Sequence, residues 1–480
     1  MEQVGSYRVE KDYIGEKQVP ADAYYGIQTL RAVENFPITG YPVSKHLIKA
    51  LAIVKKSAAQ ANSLTGQLDG KIAQAIIQAA DEIIGGALHD QFLVDPIQGG
   101  AGTSMNMNAN EVIANRALEI LGETKGNYKV ISPNTHVNMA QSTNDAFPTA
   151  IHIAVLDKVQ ELLDASHALH ETFLKKAEEF HPLLKMGRTH LQDAVPIRLG
   201  QEFEAYGRVL SRDIARIHAS REHLYEVNMG ATAVGTGLNA DPMYIEKVVQ
   251  FLSENSGLEL TSAEHLVDAT QNTDAYVQVS AALRGCMINM SKIANDLRLM
   301  ASGPRTGLAE IVLPARQPGS SIMPGKVNPV MAEVMNQVAF QVIGNDTTIS
   351  LASEAGQFEL NVMEPVLVFN LLQSMDIMTN VFTVFRNYCL DGIQANADLM
   401  EEYVDNSIGI ITAINPHVGY EAATQIAKEA LETGRPIRDI CIERGILTAE
   451  ELDVILHPYE MTEPGISGKE LLEKKELLRV

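Results

Sequence analysis

The densest group of reactive side chains is Gly319-Ser320-Ser321-Ile322-Met323-Pro324-Gly325-Lys326-Val327-Asn328-Pro329. Its glycines and prolines exclude a regular helix or strand, so Ser320, Ser321 and Lys326 ride on a loop. Asn328-Pro329 reads as a helix start, since Asn is a favoured N-cap and Pro a favoured first helical residue. Beyond it Met331, Val334, Met335, Val338 and Val342 recur at helical spacing. A loop entering a helix N-terminus meets unpaired N–H groups and the positive end of the dipole, which suits an anion. The loop therefore delivers two hydroxyls and an ammonium, those of Ser320, Ser321 and Lys326, to a place that favours negative charge. A solvated Ser/Gly/Pro loop is the plainer alternative. A nucleotide phosphate loop fits poorly: Gly319 to Gly325 encloses one residue too many, and Val327 stands where a magnesium-binding Ser or Thr is needed.

Three other stretches offer polar groups. Gln98-Gly99-Gly100-Ala101-Gly102-Thr103-Ser104-Met105-Asn106-Met107-Asn108 reads as a glycine-rich loop, without the glycines or preceding strand of a dinucleotide site. Ser142, Thr143 and Asn144 precede a helix that Pro148 helps to start. One of the three suffices as a cap, so the surplus hints at ligand binding. Gly187-Arg188-Thr189-His190-Leu191-Gln192-Asp193-Ala194-Val195-Pro196 interrupts a helical region and reads as a loop. A lone loop histidine is more often a hydrogen-bonded structural residue. His167/His170 and His218/His223 lie in charged helical sequence and read as solvated faces. No metal-ligand cluster or cofactor fingerprint stands out, so neither metal nor cofactor is expected.

The chain has 480 residues and a net charge of −22, which disfavours nucleic acid and anionic membrane surfaces as partners. Cys286, Cys389 and Cys441 are far apart and fit buried thiols in a reducing compartment. Met1–Val19 lacks the apolar core of a signal peptide, and no stretch reads as a membrane span. A cytoplasmic location is expected.

These loops need rigid supports, and the sequence supplies helices. In the N-terminal part, helices are expected at His46–Leu64, Lys71–Ile84 and Asn108–Leu121. Beyond Ala146 the periodicity becomes regular. Tyr276, Val279, Leu283, Cys286, Met290, Ile293, Leu297 and Met300 follow steps of three and four, as do Val368, Leu371, Met375, Met378, Phe382, Phe385 and Cys389. Weaker stripes run from Ile151 to Phe173 and from Phe203 to Leu224. With the helix after Pro329 these make five long helices, whose spacing predicts packing at shallow angles. Between Arg284 and Lys292 no face carries a charge, so the bundle is expected to continue into other subunits. A smaller helical part follows residue 394, with a turn at Asn415-Pro416-His417, a helix over Tyr420–Leu431, a capping box at Thr448–Glu451 and a loose, charged end.

The loop GSSIMPGKVNP resembles the signature of the fumarase/aspartase superfamily of lyases, and the resemblance extends over nearly the whole chain. GTSMNMNAN, QSTND and GRTHLQDAVP are similar to further motifs of that superfamily. The resemblance implies a mainly α fold of three domains, 1–143, 144–393 and 394–480, with a central bundle of five long helices. It further implies a homotetramer that pools four such bundles and shares its active sites between subunits. It makes Ser320 the general base, activated by loop closure. Lys326 and Asn328, with Thr189, hold one carboxylate of a small dicarboxylate. Thr103, Ser142, Thr143 and Ser321 donate to the other, which becomes an enediolate. Asn144 and His190 face the leaving group, and Glu333 pairs with His190. Tyr24-Tyr25-Gly26, GTSMNMNAN and Asn361-Val362-Met363-Glu364-Pro365-Val366 are closer to aspartases than to fumarases. The expected reaction is reversible loss of ammonia from L-aspartate to give fumarate. Loss of water from malate is the alternative, and a structural protein of the same fold is a third reading.

Overall fold

The computed structural model describes residues 6–477; residues 1–5, part of the stretch read as lacking a signal peptide, lie outside them. The chain starts with an antiparallel hairpin, β1 (Tyr7–Lys11) and β2 (Glu16–Pro20), in which Val9 faces Gln18. Its charged sequence gives no strand signal; the backbone ladder is reinforced by one side chain. The Arg8 guanidinium donates to the carbonyls of Pro20, Ala21, Ala23 and Tyr25 and to Glu10 Oε1.

Helices α1 (Ile27–Asn35), α2 (Lys45–Leu64), α3 (Gly70–Ile84) and α4 (Thr103–Ile120) follow. The expected helices after His46 and Lys71 are found within a residue. The third starts at Thr103, five residues before the expected Asn108. Gly100, Ala101 and Gly102 turn the chain through φ of 99°, 55° and 87°, and the polar run after them is already helical. Its asparagines bond to other segments rather than to their own backbone, which removes the usual penalty for Asn in a helix.

Next come α5 (Thr143–Glu179), the hairpin β3 (Leu184–Thr189) and β4 (Gln192–Arg198), and α6 (Leu199–Ala219). The short strands β5 (Glu226–Val227) and β6 (Thr261–Ser262) flank α7 (Pro242–Ser256); α8 (Leu266–Gln271) and α9 (Asp274–Met300) follow. After β7 (Ile311–Val312) come α10 (Val330–Glu354), α11 (Glu364–Tyr388) and β8 (Gln394–Ala395). The chain ends in α12 (Ala397–Asn406), α13 (Ile411–Val418), α14 (Tyr420–Thr433), α15 (Ile437–Glu443), α16 (Ala449–Ile455), α17 (Pro458–Thr462) and α18 (Lys469–Leu477). The Thr448–Glu451 capping box is present. Asn415-Pro416-His417 lies inside α13 rather than in a turn, and Lys469–Leu477 is helical rather than loose, while residues 478–480 of the end expected to be loose lie outside the described residues.

Contacts divide the chain into two units. The first comprises Met1–Asp164, Asp213–Met287 and Val338–Asn380. In it α5 meets α11 through Lys158 and Asp376, α9 meets α10 through Ser280, Arg284 and Asp346, and α10 meets α11 through Asn345 and Ser374. The second comprises Ala165–Arg212, Ile288–Gln337 and Val381–Val480. Here Phe173 of α5 packs edge-on against Tyr206 of α6, Tyr206 bonds to Asp296 of α9, and Asn336 of α10 bonds to Ser291 and Asn295 of α9. The five long helices are thus lateral neighbours, as their spacing predicts.

Both regular seams are buried from end to end. Each buried Leu or Phe contributes on the order of 2 kcal/mol of apolar transfer. On α10 the buried stripe is Ala332, Met335, Ala339, Val342 and Ile349, while Met331, Val334 and Val338 of the expected stripe are only half-buried. Two of the five in the buried stripe are alanines, which a pattern of large apolar residues passes over. Among the described residues one segment, Glu364–Gly392, is long and apolar enough to cross a membrane, with a mean hydropathy of 1.2. It is built on α11, and its buried side carries the Val368–Cys389 seam.

Candidate active site

Thr103, Ser142, Thr143 and Asn144 belong to the first unit. Thr103 is exposed at the first position of α4. One turn on, Asn106 donates to Thr143 Oγ1 (3.2 Å) and to Asn138 Oδ1 (3.2 Å). Ser142 caps α5: its Oγ accepts the Asn144 N–H (3.2 Å), and Asp145 Oδ1 accepts the Ser142 N–H (2.9 Å). Each hydroxyl oxygen thus accepts an N–H bond, Ser142 from backbone and Thr143 from Asn106. Their protons remain to donate to an incoming anion.

Pro148 sits inside α5 rather than starting it. Lacking an N–H, it leaves the Asn144 carbonyl without its usual helical donor. Asn228 Nδ2 donates to that carbonyl at 3.0 Å, and Asn144 Nδ2 donates to Ala233 O at 2.7 Å. The amide of Asn144 is therefore engaged with the loop Asn228–Asn239, which the sequence reading passed over. Its visible signal is Gly230, Gly235 and Gly237 spaced among threonines, with positive φ also at Thr232 and Asn239.

Beneath these groups lies Lys55 of α2, fully buried. Its Nζ donates to Asn106 Oδ1 (2.6 Å), Gln141 Oε1 (2.8 Å) and Asn138 Oδ1 (3.0 Å). Burial lowers its pKa to about 7 against the pull of Asp145, and burial raises Asp145 to about 6. A lysine in an otherwise ordinary helix seam gives the sequence reader no cue.

Thr189, His190, Ser320, Ser321, Lys326 and Asn328 belong to the second unit. The stretch read as a loop around His190 is the β3–β4 hairpin, in which Thr189 pairs with Gln192. His190 (φ 54°) and Leu191 (φ 61°) form its two-residue tip, where both central residues are left-handed, a conformation usually given to Asn-Gly. The base is fixed: Arg188 and Lys185 pair with the fully buried Glu310, and Met186 enters the apolar cluster of the C-terminal helices. The tip, with Thr189 and His190, is exposed.

The signature loop is closed on itself. Gly319 N–H donates to Lys326 O (2.7 Å), and Asn328 Nδ2 donates to Gly319 O (2.8 Å) instead of capping α10. Within the loop, Ser320 Oγ accepts the N–H groups of Met323 (3.1 Å) and Ile322 (3.2 Å). Two donors on one hydroxyl oxygen favour its deprotonated form, which a serine base requires. Lys326 and Asn328 share the wall of a cavity of about 500 Å³ with Asn295 and Arg298, two polar groups not singled out from the sequence. Ser321 and Lys326 are exposed. Among the described residues no hydrogen bond or ion pair joins the hairpin tip to this loop. Nor does one join His190 to Glu333, whose carboxylate accepts from Gln337 at 3.4 Å.

This combination of loops has counterparts. Residues 15–344 match the family model described as Lyase, and residues 410–463 that of the Fumarase C C-terminus. The chain belongs to the fumarase/aspartase superfamily of lyases. It is 71% identical to the aspartate ammonia-lyase of Bacillus subtilis (strain 168) over 468 residues, 98% of each chain. A solved fumarate lyase:delta crystallin from Brucella melitensis is 50% identical, with a TM-score of 0.93 over 96% of this chain and 100% of that one. A recombinant class II fumarase from Schistosoma mansoni is 34% identical, with a TM-score of 0.90 over the same shares. Membership of the superfamily extends from the N-terminal domain helices to the small C-terminal ones.

Proposed function

We propose that the protein is an aspartate ammonia-lyase, a carbon–nitrogen lyase that converts L-aspartate reversibly to fumarate and ammonia. The observation that carries this reading is the match, over 98% of the chain, to an enzyme of that name, in a chain whose Ser320, Lys326 and Asn328 are all present. The weaker match to a fumarase, at 34% identity, places malate second.

In this reading Ser320, as an oxyanion held by the Ile322 and Met323 N–H groups, removes a proton from Cβ. The C–H electrons pass into the adjacent carboxylate, giving a dianionic enediolate. Thr103, Ser142, Thr143 and Ser321 donate to this group, whose extra charge exists only near the transition state. Lys326, Asn328 and Thr189 hold the other carboxylate. As the enediolate collapses, a C=C bond forms and the C–N bond breaks; the amine leaves past Asn144 and His190, and Ser320 keeps the abstracted proton until turnover ends.

The same reading makes the protein a cytoplasmic homotetramer, with three domains divided near residues 143 and 393 and with sites shared between subunits. Its support is apolar surface on the long helices: Ile288 of α9 is 49% exposed, and Phe340 and Leu351 of α10 are each 64% exposed. A partner chain is also what would bring a carboxylate to His190.

The test follows fumarate absorbance after L-aspartate or L-malate is added to the purified protein, with Ser320→Ala as control. Fumarate from aspartate, lost in the control, supports the assignment. Fumarate from malate alone moves it to a fumarase, and silence with both leaves the structural role.

A further inference from the structure

The donors of the first unit are held by a carboxylate to which the mechanism gives no role. Asp145 has no solvent exposure. A capping box needs only its Oδ1, which accepts from Ser142. Its Oδ2 accepts two further N–H groups, from Thr232 (2.9 Å) and Gly230 (3.1 Å), far along the chain. With the two bonds of Asn144 to Ala233 and Asn228, the segment Ser142–Asp145 is fastened to the loop Asn228–Asn239.

That loop cannot hold itself. Gly230, Thr232, Gly235, Gly237 and Asn239 all have positive φ. A Cβ at Gly230 would stand 2.9 Å from the Ile245 side chain. Such backbone persists only where its surroundings over-determine it. The charged and titratable groups facing Asp145 are Lys55 from α2 and Tyr244 from α7, neither of which bonds to it directly.

We infer that Asp145 is the positioning residue of the dicarboxylate site: its carboxylate locks the donors Ser142, Thr143 and Asn144 against the loop Asn228–Asn239, and protonating it loosens both. This rests on the reading of the site given above. A neutral carboxyl accepts N–H bonds more weakly than a carboxylate, so protonation weakens the bonds from Ser142, Gly230 and Thr232 together. Burial raises the group to about 6, so the loosening falls just below neutrality rather than in strong acid.

The test uses succinate, a dicarboxylate with nothing to eliminate, as the calorimetric probe. Wild-type turnover of L-aspartate, measured separately, judges the enzyme assignment; succinate binding judges the lock whether or not turnover occurs. In Asp145→Asn the amide must turn one NH₂ toward an N–H donor. At about pH 8 this variant, with helicity and oligomeric state unchanged, should bind succinate about tenfold more weakly than wild type. Wild-type affinity should fall further below about pH 6, and that loss should be absent from the variant. Succinate's own ionisation is common to both proteins and cancels. Binding within about twofold of wild type, or an acid loss retained in Asp145→Asn and so belonging to another group such as His190, overturns the proposal. If Asp145→Asn does not fold, hydrogen exchange in the wild type decides. Corrected for intrinsic chemistry, protection of the Asn228–Asn239 peptide should fall about tenfold between about pH 8 and about pH 5, with the Cys286–Met300 peptide unaffected. Unchanged protection there also overturns it.

Discussion

Lys55 Nζ lies 2.6 Å from Asn106 Oδ1 in a site closed to solvent, and two further amides, those of Asn138 and Gln141, complete its shell. The ammonium thus joins α2 to α4 and to the turn before α5, which between them carry Thr103 and Ser142. In Lys55→Met, Asn138 Oδ1 keeps the amide donors of Asn106 and Asn110, whereas Asn106 Oδ1 and Gln141 Oε1 lose the ammonium, at about 1–3 kcal/mol for each one unsatisfied. The variant should lose thermal stability and most of its activity.

The pH dependence of Lys55 has a definite sign. Burial lowers its pKa from 10.5 to about 7, so between those values the unfolded chain holds the proton that the folded chain has lost. Stability from this group therefore rises with pH across that window and is lowest below about 7. Denaturant midpoints at about pH 7 and about pH 10 should show that slope in wild type and a flatter one in Lys55→Met. Equal slopes would mean that the lysine stays charged throughout.

Gly319→Ala separates the loop's shape from its chemistry. A Cβ there would stand 2.8 Å from Lys326 O and 2.9 Å from Asn328 N, backbone atoms that cannot rotate away. The bonds closing the loop would break, and Ser320, Lys326 and Asn328 would lose their mutual placement. Because the loop from Ser321 to Val327 is exposed, the melting temperature should hardly move, while kcat falls about a hundredfold. A proportionate fall in stability would show that the loop supports the fold.

What the sequence disclosed follows from what repeats. The seams through Leu283 and Leu371 are periodic in large apolar residues, so their helices and packing could be read directly. On α10 the buried stripe includes Ala332 and Ala339, and the expected stripe is offset from it. The candidate-site loops Ser320–Asn328 and Ser142–Asn144 stand out in the sequence because glycine, proline and surplus hydroxyls crowd there. Their supports do not. Lys55 and Asp145 act through burial and through partners distant in sequence, which no local pattern encodes. The hairpin at His190 escaped notice because its tip uses His-Leu where a turn would ordinarily show Asn-Gly.

That tip supports a prediction about stored strain. His190 and Leu191 hold φ of 54° and 61°, each costing roughly 1 kcal/mol for a residue with a Cβ. Leu191 is 70% exposed, so it gives little packing in return within the chain. Leu191→Gly should cost nothing or raise the melting temperature by a degree or two, with activity kept. His190→Asn tolerates the same backbone but removes the imidazole, and should lose activity at similar stability. If Leu191→Gly instead destabilises the assembled protein, the leucine is packing against a partner subunit.

Glu364, in the first turn of α11, gives the remaining pH test. It is 5% exposed, and burial alone raises its pKa from 4.5 to about 8. Here the folded chain keeps a proton that the unfolded chain loses. The cost of the buried charge is therefore absent below about 4.5, grows as pH rises, and is complete above about 8. Glutamine imitates the protonated form at every pH. Glu364→Gln should match wild type at about pH 5 and melt higher at about pH 9, each unit of the shift being worth about 1.4 kcal/mol. Its neighbour Asn361 accepts from Met363 N–H and donates to Ala352 O, so the turn into α11 stays intact in the variant. If wild type is as stable as Glu364→Gln at about pH 9, the carboxylate has met a cation, which in the proposed tetramer would come from a second copy of the chain, since none pairs with it among the described residues.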